Sequence, residues 1–238
     1  MVPQEPMRIE IKSQPDDVTC GPTSLHAVYR HYGLDLPLEQ LICEIEGLEE
    51  GGTLAVFLGI DALKRGFKAR IYTFHLHVFD PSWAKLSNAA LIAKLEAQLK
   101  VKTDRKFTQA SLAYIRFLQM GGEIVFKDLS SQLLQGYFRS GTPVLAGLSA
   151  TYLYGSMREY TNSQNLSVMD DIAGEPAGHF VVLYGIDDQH RILVADPDGS
   201  TSLADDHYYH VESRRLIHAI LLGILTYDAN LLVVKRRG

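Results

Sequence analysis

The sequence predicts an α+β fold, in which a helical N-terminal part packs on an antiparallel sheet formed by the C-terminal part. Two observations support this class. Apolar residues recur at helical spacing through most of the first half, whereas alternating apolar runs separated by turn residues become frequent after residue 140. Helices followed by a series of strands, without strict strand–helix alternation, are typical of α+β proteins.

The first half is predicted to hold most of the helices. After Cys20, Leu25, Val28, Tyr29 and Tyr32 recur at helical spacing, and Gly33 ends the pattern. Thr53 is expected to cap a later helix. The helices predicted up to residue 140 cover 20–32, 37–47, 54–65, 86–100, 107–119 and 127–140, and two strands cover 68–74 and 121–126.

The second half is predicted to supply the rest of the sheet. A strand over 142–150 and a β-hairpin over 178–198 are followed by a helix over 209–221 and a strand over 230–234. The tyrosine-rich stretch 151–178 contains no clear periodicity. It is interpreted as a substrate-binding or lid loop, with a disordered linker as the alternative.

Composition favours a single soluble domain over residues 1–238. The length allows one sizeable core, and the net charge of −5 gives no reason to expect nucleic acid or an anionic membrane as a partner. Residues 1–12 lack the apolar segment of a signal peptide, and the apolar run 216–227 is too short to span a bilayer. We therefore expect a cytoplasmic protein without a membrane span; the oligomeric state is left open.

Cys20 is the candidate nucleophile. Gly21 and Pro22 follow it, and proline is favoured in the first turn of a helix, so Cys20 is predicted to lie at a helix N-terminus. Hydrolysis by cysteine needs a thiolate, and the unpaired N–H groups and dipole at this position favour an anion. The alternative is a buried structural cysteine, which is the interpretation given to Cys43 instead.

His179 and Asp196 are predicted to meet across the hairpin. If Ile186 and Arg191 flank its turn, Val181 lies opposite Asp196, and His179 shares a face with Val181 because side chains alternate along a strand. His179 and Asp196 are then diagonal neighbours, close enough for a carboxylate to accept from an imidazole N–H. Asp187 and Asp198 are the alternative partners.

Gln14 is the candidate oxyanion donor. It stands six positions before Cys20, in an approach that Pro15 keeps from being helical, so its amide can point back toward the sulfur. An oxyanion hole requires a fixed donor of this kind beside a backbone N–H. A glutamine in a loop has no significance by itself, and the interpretation depends on its position relative to Cys20.

The remaining histidines carry no comparable pattern. The pairs His75 with His77 and His207 with His210 have the short spacing of some metal sites, but each lacks a third ligand in register. We expect them to be structural or solvent-facing. No cofactor and no metal are predicted.

The segments QPDDVTCGP and GHF followed by ADP resemble the bacteriocin-processing (double-glycine leader) cysteine peptidases of the papain-like superfamily. The resemblance implies a papain-like fold and makes Cys20 the nucleophile, His179 the base, Asp196 its orienting group and Gln14 the oxyanion-hole residue. It covers residues 8–75 and about 140–200. Residues 76–139 are interpreted as a helical insertion.

The predicted function is a cysteine peptidase or amide hydrolase that acts on a peptide, with a leader peptide as the candidate substrate, through an acyl-enzyme intermediate. Two alternatives stay open. One is an acyl transferase in which an amine replaces water, and the other is a non-catalytic peptide-binding or regulatory module on the same fold.

Overall fold

The computed structural model of the protein describes residues 7–48, 51–162, 167–204 and 206–237. The helices are α1 (Cys20–His31), α2 (Leu38–Glu44), α3 (Ala55–Lys64), α4 (Asn88–Leu99), α5 (Arg105–Gln119), α6 (Ser131–Arg139), α7 (Ala150–Tyr154) and α8 (Ser213–Leu222), with 3-10 turns at Pro81–Trp83 and Gly223–Thr226. The strands are β1 (Lys68–Thr73), β2 (Glu123–Val125), β3 (Val144–Ser149), β4 (Glu159–Thr161), β5 (Ser167–Met169), β6 (Gly178–Ile186), β7 (Arg191–Ala195), β8 (Tyr208–Glu212) and β9 (Asn230–Lys235).

Seven strands form one sheet in the order β2-β1-β9-β3-β6-β7-β8. Neighbouring strands are antiparallel except β1 and β2, which are parallel. β4 and β5 pair separately as a small hairpin. The last strand, β9, lies between β1 and β3, so it joins the part of the sheet that comes from the first half to the part that comes from the second.

Helices cover both faces of the sheet, and the mixture of helices with a mainly antiparallel sheet confirms the predicted α+β class. α1 to α5 contribute to the core on one face, and α6 and α8 to the core on the other. β9 alternates between the two cores: Leu232 and Val234 face the first, and Leu231 and Val233 the second. A continuous apolar run such as this one is typical of a strand buried on both faces.

Other differences are local. Tyr208–Glu212 is strand β8, so the helix predicted over 209–221 begins later, at Ser213. Leu54, not Thr53, is the N-cap of α3, and the Thr53 hydroxyl donates to the carbonyl of Glu46 instead. The stretch 151–178 contains most of α7 together with β4 and β5, and its residues 163–166 lie outside the described part.

The segment 76–139 is integrated into the fold. α5 contributes Phe117 and Leu118 to the same core as α3, and β2 extends the sheet beside β1. Its interpretation as an insertion stays a prediction. Within the described ranges, every helix is too short or too polar to cross a membrane.

α1 is held against β6, and this contact sets the position of Cys20. The Ser24 hydroxyl donates to the carbonyl of Phe180 over 3.0 Å in a buried contact. A methyl group on Gly21 would come within 2.4 Å of Thr53 Cγ2, so the start of α1 packs closely against Thr53. The start of α1 is thereby fixed beside the start of β6.

We predict that Leu232→Ala lowers the free energy of unfolding by about 2–5 kcal/mol, because it leaves a cavity beside the central strand. Leu232 is 1% exposed. Leu112→Ala on the exposed face of α5 is the matched control and should change stability by less than about 0.5 kcal/mol. Urea unfolding followed by circular dichroism measures both. Equal effects of the two changes would contradict the packing described for β9.

Candidate active site

Cys20 is the first residue of α1, as the sequence predicts. Thr19 precedes it with a non-helical backbone (φ −103°, ψ 12°) and its side chain does not cap the helix. The first N–H groups of a helix have no partner within it and favour an anion nearby. Cys20 is nevertheless buried, with 8% of its surface exposed.

The interpretation of Cys43 as a buried structural cysteine is wrong. Cys43 lies on α2 and is exposed to solvent, whereas the neighbouring Leu41 and Ile45 face the core. The apolar segment around Cys43 suggested burial, but the residues that pack are spaced one helical turn apart and Cys43 falls between them. The exposed thiol of Cys43 therefore provides a reference for the reactivity of the Cys20 thiol.

His179 and Asp196 are hydrogen bonded. His179 Nε2 lies 2.7 Å from Asp196 Oδ1, and the two residues are 7% and 0% exposed. Burial by itself lowers the pKa of the His179 imidazole, but the charge of Asp196 and then of Cys20, with hydrogen bonds to both, outweigh it and raise this pKa well above 6.5. The site therefore stabilises an imidazolium.

Cys20 is the second partner of the imidazole. The charge of the Cys20 side chain and its interaction with the imidazole help to raise the pKa of His179. Because Nε2 is taken by Asp196, Nδ1 is the ring nitrogen left for the sulfur. His179 thus interacts with both Cys20 and Asp196, as transfer of a proton from sulfur to a supported base requires.

The pairing of β6 with β7 near the site agrees with the predicted register, although the turn differs. Val182 pairs with Ala195, which places Val181 and Asp196 opposite each other just beyond the last pair. Ile186 pairs with Ile192 rather than Arg191, so the turn is one residue longer than predicted. An irregularity between Leu183 and Gly185 absorbs the extra residue and restores the register.

Asp196 accepts hydrogen bonds at both of its oxygens. Oδ1 accepts from His179 and, over 2.9 Å, from the backbone N–H of Asp198. Oδ2 accepts from the hydroxyls of Tyr154 over 2.7 Å and Tyr209 over 2.5 Å. The sequence analysis missed both tyrosines; the only signal for Tyr154 was the abundance of tyrosine in the stretch before His179, and Tyr209 lies outside that stretch.

These contacts keep Asp196 ionised. Burial by itself raises the pKa of its carboxyl group, but the charge of His179 and the hydrogen bonds from His179, Tyr209 and Tyr154 lower the pKa below its usual value. Burial followed by the negative charge of Asp196 raises the pKa of both tyrosines far above the usual value, so the phenols remain protonated donors.

Gln14 is attached to the loop that follows Asp196. Its backbone N–H donates to the carbonyl of Pro197 over 2.9 Å. The preceding Ser13 contacts His207 Nε2 at 2.9 Å, and the other ring nitrogen of His207 lies 2.7 Å from the Asp196 carbonyl. The segment that carries the candidate oxyanion donor is thereby connected to the residues around Asp196.

The Gln14 side chain has an unused polar atom. Its Oε1 is buried and has no hydrogen-bond partner in the described part of the chain. The two ends of a glutamine amide are assigned from their hydrogen bonds, so rotation by 180° places the NH2 group at the same point. The hydrogen-bonding capacity of this end of the amide is therefore unused among the described residues.

A further carboxyl group lies beside the base. Asp228 is 6% exposed, and burial raises its pKa to about 7. A methyl group on Gly178 would come within 2.0 Å of Asp228 Oδ2, so this carboxyl group packs directly against the residue before His179. No sequence pattern pointed to Asp228, because it stands in an unpatterned segment before β9.

The other histidines do not converge on a metal site. Among the residues described, no group of three or more His, Cys, Asp or Glu side chains is placed to hold a metal ion. His75 is buried against the ring of Tyr227, with 4.4 Å between ring centroids, and His210 contacts Asp187 over 2.8 Å. His207 has the structural role described above.

Three solved structures are similar to this chain, each at 14% identity. One is described as a C39-like peptidase from Bacillus anthracis, with a TM-score of 0.47, 99% of this chain and 100% of that chain covered. Another is the peptidase domain of Streptococcus ComA, a bifunctional ABC transporter of a quorum-sensing pathway, with a TM-score of 0.44 and coverages of 97% and 100%. The third is a double glycine motif protease from an AMS/PCAT transporter in complex with its leader peptide, with a TM-score of 0.45 and coverages of 99% and 97%. At these TM-scores the likenesses carry no argument.

No curated protein matches the chain. The model of one protein family, the Peptidase_C39 like family, matches residues 7–215. This range is most of the chain and contains Gln14, Cys20, His179 and Asp196. The family model agrees with the motifs in the sequence, and this agreement does not depend on the structural likenesses. The chain belongs to the Peptidase_C39-like family.

Proposed function

We propose that the protein is a cysteine peptidase in which Cys20 is the nucleophile, His179 the general acid and base, and Asp196 the group that orients His179. The observation that carries this proposal is the position of the His179 ring, between the Cys20 side chain and the Asp196 carboxylate. Membership of a peptidase family supports the same class of function.

The first half of the reaction forms an acyl-enzyme. The Cys20 proton passes to Nδ1 of His179, and the resulting imidazolium is stabilised by Asp196 through Nε2. The thiolate attacks the carbonyl carbon of the scissile amide, and a tetrahedral intermediate forms with its negative charge on oxygen. His179 then gives its proton to the amide nitrogen, the C–N bond breaks and the amine leaves a thioester on Cys20.

The second half releases the acid. His179 takes a proton from a water molecule, whose oxygen attacks the thioester carbonyl. The second tetrahedral intermediate collapses, the C–S bond breaks and the sulfur leaves as a thiolate, with the proton remaining on His179. The buried Asp196 stabilises the imidazolium in both halves of the cycle.

Gln14 is the proposed oxyanion donor, together with the backbone N–H of Cys20. The unpartnered end of its amide supports this role. A leader peptide, which the resemblance of the QPDDVTCGP, GHF and ADP segments implies, is the first substrate to test. The cytoplasmic location expected from the sequence and the insertion at 76–139 remain predictions.

Selective alkylation of Cys20 tests the proposal before a substrate is known. Cys43→Ser leaves Cys20 as the only thiol, and Cys20→Ser leaves Cys43. Between pH 6 and pH 9 the rate of reaction of iodoacetamide with Cys20 should change by less than about threefold, because His179 supports the thiolate throughout. The rate at Cys43 should rise by about 100-fold or more.

The shape of each pH profile is compared, rather than the absolute rate, because burial slows the reaction of Cys20 at every pH. His179→Ala is expected to give Cys20 the steep profile of Cys43. If the pH profile of Cys20, measured with His179 in place, ran parallel to that of Cys43, the result would favour the non-catalytic binding module over the peptidase.

Turnover is predicted to extend well above neutral pH. The raised pKa of His179 keeps the imidazolium, which is the proton donor to the leaving amine, until the pH rises through that pKa. kcat/KM for a peptide found by library screening should therefore persist past pH 6.5 and fall only at alkaline pH. Asp196→Asn should move the alkaline decline to lower pH; a decline at the same pH would mean that Asp196 does not support the imidazolium.

Gln14→Ala is predicted to lower kcat by about 10²–10³-fold, the usual effect of losing one oxyanion donor. The pH profile of Cys20 alkylation should not change, because Gln14 takes no part in proton transfer. Cys20→Ala provides the background rate for the same substrate. Wild-type turnover by the Gln14 variant would exclude it from the oxyanion hole.

A further inference from the structure

We infer that Tyr154 and Tyr209 are positioning residues of the proposed catalytic site, which hold the Asp196 carboxylate in the one orientation that presents Oδ1 to His179. The inference rests on the proposed function and adds two residues to it. It follows from the contacts of Asp196 and from the chemistry of the two donors.

The two oxygens of Asp196 have separate sets of partners. Among the described residues, Oδ2 accepts only from the two phenols, at 2.7 and 2.5 Å, and Oδ1 faces His179. Asp196 is completely buried, so water does not compete for either oxygen. Rotation of the carboxylate about its Cβ–Cγ bond would break both phenol hydrogen bonds together. The phenols therefore oppose the rotation that would take Oδ1 away from the base.

The two donors come from separate elements. Tyr154 is the last residue of α7, and Tyr209 lies in β8, which pairs with the strand that leads into Asp196. The ring of Tyr154 also stands beside the His179 ring, with 6.0 Å between centroids and an edge-to-face angle of 61°. Tyr154 therefore borders both members of the pair that it orients.

A neutral donor suits this position better than a cation. An arginine in the same place would also satisfy Oδ2, but its positive charge would offset the charge that stabilises the imidazolium. A phenol supplies a hydrogen bond and no net charge. The negative charge of Asp196 is thus left to act on His179.

The charged and titratable groups around this pair are few. Among the described residues, the groups that face the Asp196 side chain are His179, Tyr154, Tyr209 and Asp198, and His207 contacts the Asp196 backbone carbonyl. His179 is also faced by Cys20 and Asp228. The two tyrosines are the members of this set that donate to Oδ2, and replacement by phenylalanine removes the donor while keeping the ring.

The test measures the pH profile of Cys20 alkylation in the Cys43→Ser protein. Tyr209→Phe and Tyr154→Phe should each move the midpoint of the profile to higher pH and lower the rate at pH 6 by about fivefold or more, with a larger effect in the double variant. Without a phenol the Asp196 carboxylate is less restrained from rotating, Oδ1 is held less firmly toward His179, and the imidazolium that supports the Cys20 thiolate is stabilised less.

The same changes are then made in the Asp196→Ala protein. Positioning residues act through Asp196, so Tyr209→Phe and Tyr154→Phe should have no further effect on alkylation in this background. Tyr72→Phe is the matched control: it removes a buried phenol hydrogen bond, 2.6 Å to Tyr137, within the same core but away from the site. It should lower thermal stability without changing the profile.

Each outcome decides the matter. The inference would be overturned by an unchanged pH profile in both tyrosine variants. It would also be overturned if the variants lost the same fraction of the alkylation rate with and without Asp196. Either result leaves the activation of Cys20 in the parent protein intact. If Cys20 of the parent protein were not activated at all, the proposed function itself would fail. Should Tyr209→Phe not fold, Tyr154→Phe, which alters a less buried residue at the end of α7, provides the same test.

Discussion

The site depends on the burial of one negative charge. Moving a carboxylate out of water is costly unless each of its lone pairs finds a donor, and Asp196 is completely buried. Its four donors come from β6, α7, β8 and the loop after β7. These four segments must therefore be assembled correctly before the carboxylate can remain ionised, and the same assembly places His179 beside Cys20.

Much of this arrangement could be predicted from local pattern. The helix after Cys20 follows from proline chemistry and apolar periodicity, and the meeting of His179 with Asp196 follows from strand alternation. The register was predicted correctly even though the turn is one residue longer than assumed. The irregularity at Tyr184 compensates, and nothing in an alternating apolar run marks the position of such an irregularity.

What the sequence analysis missed depends on contacts between distant segments. Tyr154 and Tyr209 reach Asp196 only because α7 and β8 are brought to the end of β7, 42 and 13 residues away along the chain.

The error about Cys43 has a different cause. An apolar segment indicates that a helix packs, but which of its residues face the core depends on where the partner lies. The residues of strand β8, Tyr208–Glu212, were assigned mostly to a helix. A short alternation of apolar residues looks much like the start of a helix, and only the pairing with β7 distinguishes the two.

The central place of β9 has a consequence for how the protein is made. This strand follows both of its partners in the chain, and β1 and β3 are not hydrogen bonded to each other without it. During translation, α1 with Cys20 leaves the ribosome long before residues 230–235 complete the sheet. Until β9 has been synthesised, the strands on its two sides are therefore separate portions of the sheet. The fold becomes one continuous sheet only when this strand enters between them.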